Sequence, residues 1–202
     1  MIGFGSGHLI VSKPRAFAIA AAVALIAAIG SYAAFLSIPP SGHADAVATP
    51  ARPLWTEARW PFPIDQWGTG RAFTCKAADC GTDVNFYLRA KLGACNCTTG
   101  VADDADLDRM SDFDLVGGEV VPLTPGRPIT IAQMKGRSRP YALTARKRPG
   151  ESIISVAFND RCDMIVATVV LPHDRPATIE PAVMEFLNST VVLHWAEVAL
   201  GI

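Results

Sequence analysis

Four of the five cysteines fall within 23 residues, as Cys75, Cys80, Cys95 and Cys97 in the pattern C-x4-C-x14-C-x-C; the fifth is Cys162. Thiols grouped this closely have two main uses. In an oxidising compartment they pair as disulfides. Otherwise four thiolates can hold a soft metal, zinc in a tetrahedron or copper(I). The spacing lacks the paired C-x2-C knuckles of a zinc ribbon. It also lacks the C-x-x-C of a redox motif and the C-x-x-C-H of haem attachment. Disulfides among Cys75, Cys80, Cys95 and Cys97 are therefore the first expectation, with three pairings open. A metal or thiol-exchange site on the same four is the alternative. Cys162, in an apolar run, reads as a small buried hydrophobe or an odd partner.

A second cluster is acidic. Asp103–Asp114 holds six Asp around Arg109. Asp104, Asp106 and Asp108, with Asp112 and Asp114 after them, resemble the oxygen ligands of a calcium loop. Arg109 stands where such a loop needs Gly, however, and Leu115 where it needs Glu. A solvated helix end is the better reading. Lys135, Arg137, Arg139, Arg146, Lys147 and Arg148 form a basic counterpart, expected to be wet.

Catalytic signals are sparse. Cys162 and His173 invite a nucleophile–base reading, but a cysteine amid Ile, Val and Met lacks the electropositive setting of a thiolate. No G-x-S-x-G, H-E-x-x-H or phosphate-cradling glycine loop occurs. No catalytic residue and no cofactor is assigned.

The elements that position these residues begin with an address. Between Arg15 and Asp45 there is no charged side chain, and Ala16–Ile38 is almost wholly apolar. That length suits a membrane crossing of about 20 residues. Lys13 and Arg15 precede it, so residues 1–15 read as a cytoplasmic leader and the rest as lying outside. The competing reading is a signal peptide cleaved at Ala44-Asp45-Ala46. Either reading exports the same domain, residues 54–202, after a Pro/Ala/Gly linker at 39–53. An oxidising location favours disulfides over metal at the cysteine cluster. From residue 51 onward the chain carries 16 Lys+Arg and 18 Asp+Glu, so nucleic acid is not an implied partner. The implied partners are the membrane, through the N-terminal helix, and a protein of the envelope.

Within the exported part, three Trp and Phe62 between Trp55 and Trp67 suggest an extended arm whose rings cover the domain. Strands are expected at Arg71–Cys75, Val84–Leu92, Ile129–Met134, Arg139–Thr144, Ser152–Phe158 and Cys162–Leu171. In the second of these, Val84, Phe86, Leu88 and Ala90 alternate with Asn85, Tyr87, Arg89 and Lys91, a half-buried pattern. Lys135–Ser138 reads as a connection and Asn159-Asp160-Arg161 as a tight turn. Helices are expected at Asp103–Ser111, at Ile179–Leu187 and after a Ser189 cap. The hairpin spacing, without βα units, predicts an α+β fold: an N-terminal transmembrane helix, then an antiparallel sheet with helices packed on one face.

The string WPFPIDQWGTGRAFTCKAADCGTDVNFYLRAKLGACNCTTG, with FNDRCDMIVATVV and MEFLNS later, resembles a group of bacterial membrane-anchored proteins, from Trp55 to the end. The order of strands, hairpin and C-terminal helix is similar to small lumenal or periplasmic domains of the PsbP/Mog1 type. The resemblance implies a single-pass bacterial inner-membrane protein with a periplasmic domain. It transfers no functional residue.

Overall fold

The computed structural model describes residues 53–144, 150–172 and 176–202. The longest elements come from the two richest Ile/Val runs. They are β7 (Glu151–Asp160) and β8 (Asp163–Pro172), joined by the two-residue turn Arg161-Cys162 and paired in register from Glu151↔Pro172 to Asp160↔Asp163. Around this hairpin β1 (Thr56–Ala58), β2 (Arg71–Cys75), β3 (Val84–Lys91), β4 (Val120–Pro122), β5 (Arg127–Ile131) and β6 (Met134–Leu143) complete an eight-stranded sheet. The order is β1-β2-β3-β8-β7-β6-β4, with β5 also on β6 and every pairing antiparallel. Among the described residues five helices accompany it: α1 (Ala77–Cys80), α2 (Asp104–Met110), α3 (Phe113–Val116), α4 (Pro176–Leu187) and α5 (Thr190–Leu200).

The expected single helical face is corrected. Successive residues of a strand point to opposite sides of the sheet. On one side Ile154, Val156 and Phe158 of β7 and Ile165, Val169 and Leu171 of β8 pack under α4 and α5 through Val183, Leu187, Val192 and Ala196. On the other side, Ala157, Met164 and Val166 meet Leu107 of α2. Further along, Tyr141, Ile153 and Val170 meet Val116 of α3. Both faces are covered, so β7 and β8 are buried along nearly their whole length and carry no polar alternation. The expected transmembrane helix has no counterpart here. No helix among the described residues is long and apolar enough to cross a membrane, and Ala16–Ile38 lies outside them.

Three local differences follow from sheet pairing. Lys135–Ser138 is not a connection but the body of β6, paired with β7 across Lys135↔Asn159 to Ser138↔Val156. The hairpin turn sits earlier, at Ala132-Gln133, where Ala132 takes a φ of 50°. Gly136 permits the close pairing, since a Cβ there would stand 2.1 Å from the Ala157 carbonyl oxygen and 2.7 Å from the Phe158 Cα. The aromatic arm does cover the domain. Trp55 stacks on Phe186 at 4.7 Å, while Trp60 and Phe62 lie edge-on to Tyr87.

Candidate functional site

The cysteines resolve into two disulfides and a thiol. Cys75 bonds Cys80 across α1, and Cys97 bonds Cys162 at the β7–β8 turn. Cys95 remains reduced, its Sγ donating to the Arg161 carbonyl oxygen and its N–H to that of Cys162. Cys162 is thus a disulfide partner, and Cys95 is the odd cysteine. The reason is long-range: β3 and β8 pair, which brings the chain just past β3 against the β7–β8 turn. Burial pushes the Cys95 thiol above its ordinary value, with Asp163 and Asp106 adding to the shift. The expected pairing within the four holds for Cys75–Cys80 only, and the alternative, four sulfurs on one metal, is ruled out by their division between these arrangements. Among the described residues no three His, Cys, Asp or Glu side chains gather as a metal would require.

The acidic segment meets arginines instead of calcium. Asp103 caps α2, accepting from the Asp106 N–H at 2.8 Å. Asp104 and Asp108, one turn apart, face β6. Asp104 bonds the Arg137 guanidinium and the Gly126 N–H; Asp108 bonds Arg139 at 3.1 Å and the Tyr141 hydroxyl. The Gly126 N–H and Arg137 hold the Asp104 carboxyl below its ordinary value. Asp106 turns outward to Arg109 at 2.6 Å. Burial and the Asp108 carboxylate drive the Tyr141 phenol far above its ordinary value. Of the basic group, Arg137 and Arg139 are therefore not wet but bound to α2, while Arg146, Lys147 and Arg148 lie outside the described residues.

The same acidic segment reaches a second basic strand. Arg89 and Lys91 are two apart on β3 and so share a face. The alternation in the sequence reads that face as solvated, yet Arg89 is 3% exposed and Lys91 5%. Asp112, itself 5% exposed, lies between them. The Arg89 guanidinium grips it through two nitrogens, Nε at 3.1 Å and Nη2 closer, and Lys91 Nζ approaches the same carboxylate at 2.8 Å. Lys91 also donates to the Met110 carbonyl at 2.6 Å and lies 5.5 Å from the Trp67 ring centroid, a cation–π contact. The remaining terminal nitrogen of Arg89, Nη1, donates to Asp65 at 2.6 Å.

These groups floor a cleft of about 500 Å³ walled by Gln66, Trp67, Met110 and Leu115. The loop between β1 and β2 forms one side and the α2–α3 junction the other. At its tip Asp65 accepts the Trp67 N–H at 2.8 Å, and its carbonyl accepts the Gly68 N–H at 2.9 Å, a tight turn. The Trp67 N–H, then Arg89 and Lys91, hold the Asp65 carboxyl below its ordinary value. Burial opposes the Arg89 charge, and Asp112 and Asp65 outweigh it, so the guanidinium is held charged more firmly than usual. A groove of about 600 Å³ beside Trp55, Met184 and Phe186 is lined by no buried charge. The cleft over Arg89 is where small-molecule chemistry would concentrate: a half-open concavity with a few convergent polar groups.

Sequence reading missed Arg89, Lys91, Asp65 and Asp112 as a site. The usable signal was charge complementarity, an Arg-x-Lys strand in a chain whose acids are crowded into one short segment. No family model matches the chain, and neither the curated proteins nor the solved structures contain a match to it.

Proposed function

We propose that this chain is an exported, disulfide-stapled binding or accessory module on the periplasmic side of a bacterial inner membrane, with the cleft over Arg89 and Lys91 as its ligand site. The observation that carries the reading is the use of four of the five cysteines in two disulfides. Such bonds persist in oxidising compartments and are rare in the cytosol. The charge-free run Ala16–Ile38 behind Lys13 and Arg15 supports export independently. The cleft supports binding, because three charged side chains are held below its surface where apolar ones would pack as well.

The test is peptide mapping of non-reduced protein taken from its native compartment. It should yield the Cys75–Cys80 and Cys97–Cys162 links and one alkylatable thiol, Cys95. Five free thiols in that material would overturn the assignment.

A further inference from the structure

We infer that the cleft binds an organic monocarboxylate, and that Asp65 is a built-in competitor for it. Arg89 and Lys91 bring two positive charges beneath the surface, and the buried Asp112 offsets one of them. The floor therefore carries a net charge of about +1, which is left to Asp65. Asp65 differs in kind from Asp112. It sits on a turn, its side chain is 42% exposed, and of the guanidinium it touches only the outer nitrogen, its other oxygen accepting the Trp67 N–H of its own turn. Asp112 holds two nitrogens of Arg89 and would stay when Asp65 leaves. A guanidinium edge presented this way is a carboxylate receptor, and a carboxylate already occupies it.

Charge and lining select the ligand class. A single carboxylate matches the charge that Asp65 leaves behind, whereas a phosphate dianion exceeds it. Asp114 on the wall would also repel a dianion, and Arg109, the other rim cation, is already paired with Asp106. Trp67, Met110 and Leu115 supply apolar wall for the organic part, and the volume suits a small molecule.

The proposal rests on the cleft being the module's ligand site, and its test is separate from export and disulfide pairing. The full chain with both disulfides intact is titrated calorimetrically with sodium benzoate, acetate and phosphate at matched ionic strength. Benzoate should bind saturably, acetate more weakly for want of a ring to lie against Trp67, and phosphate not measurably. Asp65→Asn, which removes the competitor, should tighten benzoate about five- to tenfold, the factor by which a mostly occupied site is freed. Asp65→Ala should do the same if the amide finds a new partner. Lys91→Met should abolish binding in protein that still unfolds cooperatively. No saturable benzoate binding to wild type and Asp65→Asn overturns the proposal. So does equal affinity in wild type and both Asp65 variants, or phosphate bound as tightly as benzoate. Intact disulfides in a protein that fails these tests would leave the export reading standing and remove only the ligand.

Discussion

Asp112→Ala is the sharpest perturbation of the site. It strips one carboxylate from two cations that are 3% and 5% exposed. Breaking a buried ion pair by removing one partner costs about 3–5 kcal/mol, because the other charge is left uncompensated. Arg89 keeps Asp65, and Lys91 keeps the Met110 carbonyl and the Trp67 ring, so neither is stranded outright. With two cations affected and both partly supported, about 4 kcal/mol is the working figure. A urea slope of about 2 kcal/mol per molar turns that into a midpoint lower by about 2 M. Equilibrium urea unfolding followed by tryptophan fluorescence measures it directly. Glu57→Gln, which breaks the half-exposed pair with Arg71, is the control and should move the midpoint by less than about 0.5 M. An Asp112→Ala shift no larger than the control's would refute the reasoning, since Asp112 would then behave as a surface acid. The combined change Arg89→Met, Lys91→Met, Asp112→Leu should cost far less than Asp112→Ala alone, as apolar side chains replace a buried ion cluster at little net cost.

Other outcomes follow from the same structure. Loss of the Cys97–Cys162 bond, which spans 65 residues, should lower stability by about 4 kcal/mol in the chain-entropy estimate, against about 2 kcal/mol for Cys75–Cys80, which spans 5; paired Cys→Ser variants compared in urea give the order. Gly136→Ala should destabilise at or above the upper end of the roughly 1–3 kcal/mol of overpacking, because its Cβ meets backbone that no rotamer can relieve; thermal unfolding reads it. The folded state holds the Tyr141 phenol neutral. Its contribution is therefore complete below the ordinary phenol value of about 10 and is lost as the pH climbs past it. Between about pH 9 and pH 11 the wild-type urea midpoint should fall more than that of Tyr141→Phe. Parallel falls would remove Tyr141 from the alkaline transition.

Much of the sheet can be read from the chain, because period-two alternation and Ile/Val richness are local. Arg71–Cys75 is a strand with the expected bounds, and α2 stands where the acidic segment suggests. What was misread depends on partners distant in sequence. Nothing near Arg89 shows that α2 and the Trp67 loop will close over it, so alternation alone puts it in water. The single helical face was misread despite a local signal, the unbroken apolar runs of β7 and β8, since a strand with one wet face would alternate. Gly136 reads locally as a turn residue, and only the neighbouring strand explains it as a close approach. The pairing of Cys97 with Cys162 needed the β3–β8 register, which no cysteine spacing encodes.

The bond between Cys97 and Cys162 also closes a covalent ring that holds α2, α3 and β4 to β7. Asp112, Met110 and Leu115 belong to the ring; Asp65, Trp67, Arg89 and Lys91 do not. A protease cutting once inside the ring opens it without releasing a fragment. The nicked chain migrates as one species until reduced, and then as two. Both walls of the cleft stay on one molecule after such a cut, so the site survives damage that would divide an unbridged domain.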